Sequence, residues 1–311
     1  MKATDATRTT ERQTPGWWRR LFKRAHTYAI VFWLLSVILF RQPLGSLASL
    51  SYHDERSSHI LLIPLISACL IYLQRKRIFR APRHCPSFGI PLLLLAVVPW
   101  YSLQTPLYSL SNTDRFSVVT SLIVLVWIAV FILCYGTRSC KDAAFPLLFL
   151  FLMIPLPVAV AEHIVSVLQK GSAETCYALF RLMGVPVIRH GFQFSLPGVD
   201  IEVAEQCSGI HSGLSLFITG LLAGHMFLQS TWKKVCFTLC IVPIAIFKNA
   251  VRIVSISWLG IHVNPGFFHG TLHRQGGLPF ALLALALMAL LLWLLRQTPS
   301  LLPGRPVLPN G

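Results

Sequence analysis

The stretch FSVVTSLIVLVWIAVFILCY, residues 116–135, carries no charged side chain. Wound as an α-helix at 1.5 Å per residue it is about 30 Å long, the thickness of a bilayer's hydrocarbon core. In lipid every backbone N–H and C=O must find its partner within the protein, which a helix achieves inside one segment. Runs of the same kind recur at about 27–40, 58–74, 88–104, 143–161, 208–228, 235–260 and 277–295. With 54% hydrophobic and only 12% charged residues, the chain reads as an all-α integral membrane protein of about eight transmembrane helices.

The charge of +16 is distributed as a membrane protein distributes it. Basic residues gather in the N-terminal segment, in QRKRIFRAPR (74–83), at Arg138 and Lys141, at Lys233 and Lys234, and at Arg296 and Arg305. Counted through the eight runs, all these clusters fall on one side. The positive-inside rule makes that side cytoplasmic, with both termini inside and the membrane the inner, or plasma, membrane. A nucleic-acid face would not divide itself between alternate loops, so no nucleic-acid partner is expected. Arg19, Arg20, Lys23 and Arg24 resemble a signal-peptide n-region, but no small-residue cleavage site follows, and the first run is expected to stay as an anchor. Three segments result: a cytoplasmic basic tail (1–24), one polytopic membrane domain (25–296) and a Pro-rich cytoplasmic tail (297–311).

The outer segments are then about 41–57, 105–115, 162–207 and 261–276. The third opens with EHIVSVLQKGSAETCYALFRLMG, whose mixed polarity fits a helix lying in the interface. The period then changes. Phe192, Phe194 and Leu196 alternate with polar residues, Pro197-Gly198 punctuates, and Val199, Ile201 and Val203 alternate with Asp200 and Glu202. That pattern predicts a short extracytoplasmic β-hairpin leading into Cys207.

Cys207, in VAEQCSGIHSG (203–213), stands at the outer end of the sixth run. The partial positive charge of a helix N-terminus favours the thiolate there. From position alone, a small packing residue is the better reading of Cys207. Arg252, in IFKNAVRIVSISWLG, lies six residues before Trp258, hence about 9 Å below the outer boundary. An arginine at that depth costs several kcal/mol unless it faces protein or water. Snorkelling would relieve Arg252, but is strained for Lys248, one turn deeper. His269 and His273, in GFFHGTLHRQGGLPF (266–280), lie in the last outer loop and can move protons near neutral pH. A thiol, a guanidinium and an imidazole thus converge from three spans on one membrane face, the set that acyl transfer through a thioester needs. The other cysteines form no framework; Cys69, Cys134, Cys236 and Cys240 lie in or beside spans, and a Cys176–Cys207 disulfide stays open.

At these residues the chain resembles the exosortase/archaeosortase family of polytopic membrane enzymes. The Cys-Ser-Gly at the head of a span is matched by Cys207, Ser208 and Gly209, and the Asn-x-x-Arg-Ile element of the next span by Asn249, Arg252 and Ile253. The histidine with glycine four residues on and then an aromatic is matched by His273, Gly277 and Phe280. The likeness takes in GVPVIRHGFQFSLPGVDIEV and, more weakly, SSHILLIPLISACLIYL. The family often places Trp after that glycine, where Leu278 and Pro279 follow here, so His269 stays beside His273 as a candidate. The resemblance implies a cysteine peptidase or transpeptidase acting on exported proteins that end in a short motif such as Pro-Glu-Pro, one transmembrane helix and a basic tail, often in exopolysaccharide systems. It implies Cys207 as nucleophile, His273 as proton donor and Arg252 as support for the thiolate or oxyanion, without metal or other cofactor. Two other readings compete: a metalloprotein using His262, His269 and His273, short of a carboxylate ligand, and a transport or exopolysaccharide-export component with Lys248 and Arg252 lining an anion path.

Overall fold

The computed structural model describes residues 16–53, 57–80, 84–102, 110–203, 209–264, 266 and 277–298, with the backbone alone for 16–24, His53, His211 and Gly277. It is mostly helical: α1 (Gly16–Leu39), α2 (Arg41–His53), α3 (Leu62–Leu73), α4 (Arg75–Ile78), α5 (Pro86–Ser102), α6 (Asn112–Asp142), α7 (Ala144–Phe149), α8 (Val158–Leu182), α9 (Ile210–Phe227), α10 (Thr231–His262) and α11 (Gly277–Gln297). Strands β1 (Ile188–His190), β2 (Gln193–Leu196) and β3 (Val199–Glu202) stand between α8 and α9.

Three helices are long and apolar enough to cross a membrane singly: Asn112–Asp142, Thr231–His262 and Leu278–Gln297. Two broken pairs, Ala25–Leu39 with Arg41–Tyr52 and Ala144–Met153 with Val158–Leu182, raise the number to as many as five. Leu62–Leu73, Pro86–Ser102 and Ser212–Phe227 are apolar but shorter. Length and composition therefore support three to five spans where the apolar runs alone predict eight. The difference has local causes. The run at 58–74 begins in a turn, and its helix starts only at Leu62. The run at 143–161 is not one helix: Ile154 is extended (φ −74°, ψ 120°) and so is Pro157 (φ −54°, ψ 146°). Pro155 disfavours helical geometry at the residue before it, and each proline lacks an N–H.

The chain folds as two compact units, residues 1–155 and 156–311. In the first, α6 carries the core: Ile123, Val124, Ala129 and Val130 are buried, with Phe40 of the α1–α2 corner and Ala96 of α5 beside them. Ser67 donates to the Pro146 carbonyl of α7 at 2.7 Å and Ser117 to that of Pro155 at 2.6 Å, so α7 and the break that precedes α8 are each tied by a side-chain hydroxyl.

In the second unit α10 packs against α8, α9 and α11. The sheet is antiparallel in the order β1-β2-β3, with Leu196 opposite Val199 across the Pro197-Gly198 turn. Gly198 has φ +84°, the left-handed position that a turn of this kind gives to glycine. The alternation at 192–203 accounts for β2 and β3. Strand β1, outside that pattern, adds to the free edge of β2. Phe194 and Leu196, two apart and so on one face, bury against Cys176 and Phe180 of α8 and Ala250 and Val254 of α10. Arg189 of β1 forms an ion pair with Glu174 of α8 at 2.9 Å. The hydrogen bond to that carboxylate pushes the guanidinium's pKa further up from its already high value.

Candidate functional site

The site grows from the middle of α10. Lys248 and Asn249 are buried there, and Arg252, half-buried, follows one turn later. Burying an ammonium within a mainly apolar helix is costly unless a polar group receives it. Ser212 of α9 does so: Lys248 Nζ donates to its Oγ at 2.5 Å. Ser212 in turn donates to the Gly209 carbonyl at 3.1 Å, and the Gly213 N–H reaches the same oxygen at 2.7 Å. Lys248 thus does not snorkel to the surface. It is tied through one hydroxyl to the head of α9.

Asn249 holds the same place from another direction. Its Nδ2 donates to Ser172 Oγ of α8 at 3.0 Å. Its side chain lies so close to Gly209 that a β-carbon there would stand 3.2 Å from both Cγ and Oδ1. Gly209 is the N-cap of α9 and has φ +76°, ψ 16°. Both the contact and the left-handed backbone call for glycine. On the near side of the seam, Val203 is buried and its carbonyl accepts from Gln169 Nε2 at 2.6 Å. Gln169 and Ser172 share the buried face of α8 with Cys176. Val203 and Gly209, the last and first described residues around positions 204–208, are therefore each held by buried polar side chains.

Of the residues singled out by sequence, Arg252, Lys248 and Asn249 occur on one stretch of α10, with Gly209 against Asn249. Cys207, Ser208, His269 and His273 lie outside the described residues. Cys176 is a free thiol, fully buried, and donates to the Ala250 carbonyl at 3.8 Å, a packing role in place of the disulfide left open by the sequence. His262 stacks on Trp258 (ring centroids 4.9 Å apart), its Nδ1 3.1 Å from the Trp258 carbonyl oxygen. Among the described residues no three His, Cys, Asp or Glu side chains gather as a metal site.

Sequence reasoning did not find Ser212, Gln169 or Ser172. Ser212 carried a faint signal, a hydroxyl five residues after Cys207 in a run turning apolar. Gln169 and Ser172 read as ordinary polar positions of an interfacial helix.

Gly209 provides a test of this packing. Gly209→Ala is expected to lower the melting temperature of the purified protein by a few °C, since the left-handed conformation alone costs a side chain about 1–2 kcal/mol. Gly45→Ala, in α2 with nothing within 4 Å of its β-carbon, should be neutral or slightly stabilising. Equal melting of the Gly209 variant and the parent would contradict the close approach of Asn249.

A family model described as transmembrane exosortase matches residues 48–293, well over half of the chain. No curated protein and no solved structure matches. The matched range takes in the sheet, the head of α9 and the whole of α10, and with its apolar helices the chain is a multi-pass membrane protein that belongs to the transmembrane exosortase family.

Proposed function

We propose that the chain is a cysteine peptidase or transpeptidase that cleaves C-terminal sorting signals of exported proteins at the outer face of the inner membrane. Its substrates end in a short motif, a transmembrane helix and a basic tail. The three long helices, two broken pairs and three shorter apolar helices coincide with the eight apolar runs. Read as eight crossings they leave both termini cytoplasmic, and Cys207 and the loop 261–276 outside. The substrate's basic tail stays inside by the same rule, so its motif emerges beside Cys207.

One observation carries the reading: Gly209, of the Cys-Ser-Gly element, packs against Asn249, of the Asn-x-x-Arg element. That contact supports a shared site for Cys207 and Arg252. A lysine and an arginine held one turn apart in an apolar helix are what such a site can justify and a packing role cannot.

In the reaction, the Cys207 thiolate attacks the scissile carbonyl carbon, and Arg252 stabilises the thiolate and then the oxyanion. The C–N bond breaks as the His273 imidazolium protonates the leaving amine, which departs as the new N-terminus of the membrane-anchored fragment. The acyl group remains on sulfur as a thioester. An amine acceptor, or water, then adds to that carbonyl, and the C–S bond breaks to return the thiol. Arginine suits its role because the guanidinium offers a planar fork of donors.

The test is the thioester. Enzyme co-expressed with a signal-bearing substrate should carry an adduct of enzyme plus the substrate's N-terminal part, released by hydroxylamine and mapped to Cys207. Processing that proceeds with no adduct at any acceptor concentration, or an adduct on another residue, would overturn the mechanism. A membrane-impermeant thiol reagent should label Cys207 from outside in intact spheroplasts; labelling only in inverted vesicles would reverse the topology.

A further inference from the structure

A cavity of about 640 Å³ opens in the first unit between α1, the α3–α4 segment and α6. That volume lies within the roughly 300–1,000 Å³ typical of small-molecule sites. Its polarity is graded. Ile30, Trp33, Ile71, Trp127 and Phe131 make an apolar wall running about two helical turns. Trp33 and Trp127 meet at its far end with ring centroids 6.2 Å apart, and Trp127 Nε1 is already committed to Ser36 Oγ at 3.0 Å. At the near end stand Arg75 and Lys76, where apolar α3 passes into the basic run, together with His26 and Tyr135, joined at 2.8 Å.

The two cations differ from their neighbour. Arg77 is paired with Asp142 at 3.4 Å. Among the described residues neither Arg75 nor Lys76 has a carboxylate partner. Arg75 lies with its Cζ 4.0 Å over the Tyr72 ring and gives one N–H to the Tyr72 carbonyl at 3.1 Å. Ile30, Trp33 and Tyr72 are 59%, 48% and 63% exposed, so the cavity opens on an exposed, largely apolar face.

We infer that this cleft is a binding site for one anionic phospholipid, with the phosphate at Arg75 and Lys76 and an acyl chain laid along the wall towards Trp33 and Trp127. Charge complementarity selects the occupant. A zwitterionic lipid answers the wall but brings its own cation to the rim. A free phosphate answers the rim and leaves the wall unused. A substrate helix with a basic tail is repelled by the same two cations. Basic pockets at the level where spans turn polar are where anionic headgroups concentrate. The site is independent of the proposed chemistry, which belongs to the second unit.

Native mass spectrometry of the full-length protein, titrated with phosphatidylglycerol or phosphatidylcholine of identical chains, tests it. One phosphatidylglycerol should be retained with about tenfold or greater preference. Arg75→Gln with Lys76→Gln should reduce that preference to near one, while Arg77→Gln, a cation already paired, leaves it in place. Ala68→Trp fills the cleft without touching the cations and should lose the bound lipid, which keeps the test usable if the double variant does not fold. Equal retention of both lipids by the parent, or an unchanged preference in the double variant, would overturn the site. Displacement of the lipid by inorganic phosphate at matched concentration would reduce it to an anion site. Displacement by a peptide carrying the sorting signal's helix and basic tail would assign the cleft to a protein partner instead.

Discussion

Cys207→Ala is expected to abolish processing of a signal-bearing substrate, a loss on the order of a thousandfold or more, while the protein accumulates at the parental level. Removing the proposed nucleophile removes the covalent route altogether, and what remains is the background left by binding and oriented dipoles. The change deletes one sulfur atom, so its packing cost is small. Cys69→Ala and Cys236→Ala should leave processing intact. Cys176→Ala is the informative neighbour, because Cys176 is fully buried among the sheet and α10. Its loss should lower stability modestly without removing turnover by the molecules that fold. The measurement is the ratio of processed to unprocessed substrate at matched enzyme abundance. Similar losses in all four variants would assign Cys207 a packing role.

Arg252→Leu is expected to cost about 3 kcal/mol of transition-state stabilisation, a hundredfold or more in rate, with no fall in protein level. A snorkelling arginine gives the opposite expectation. Replacing it by leucine in an apolar helix removes a desolvation cost and should be neutral or stabilising. The structure sharpens the contrast, since Arg252 follows Asn249 by one turn on the segment that packs against Gly209. Arg252→Lys should recover activity only in part, because the ammonium keeps the charge and loses the fork. Full processing by Arg252→Leu would remove the role assigned here, and with it the case that α9 and α10 form one active site.

Much of this architecture is legible in the linear sequence because a bilayer is an unusually strict solvent. It permits few solutions for an apolar run, so helices occur at every run from 27–40 to 277–295. Alternation at 192–203 marks β2 and β3 because a two-residue period has few other causes. The Cys-Ser-Gly and Asn-x-x-Arg elements are local patterns, and local patterns survive without coordinates.

Continuity of the helices and the pairing of polar groups are another matter. Whether the run at 143–161 is one helix depends on Ile154 and Pro157 adopting extended geometry, a conformational choice that hydropathy does not weigh. Strand β1 exists because β2 presents an open edge, a fact of neighbours rather than of residues 188–190. Lys248 shows the division most clearly. Its position predicts a problem, a cation too deep to reach water, and only packing supplies the answer, a Ser212 hydroxyl thirty-six residues away in sequence and 2.5 Å away in space. Burial and hydrogen bonding are properties of what a side chain meets, and what it meets is decided when α8, α9 and α10 close around it.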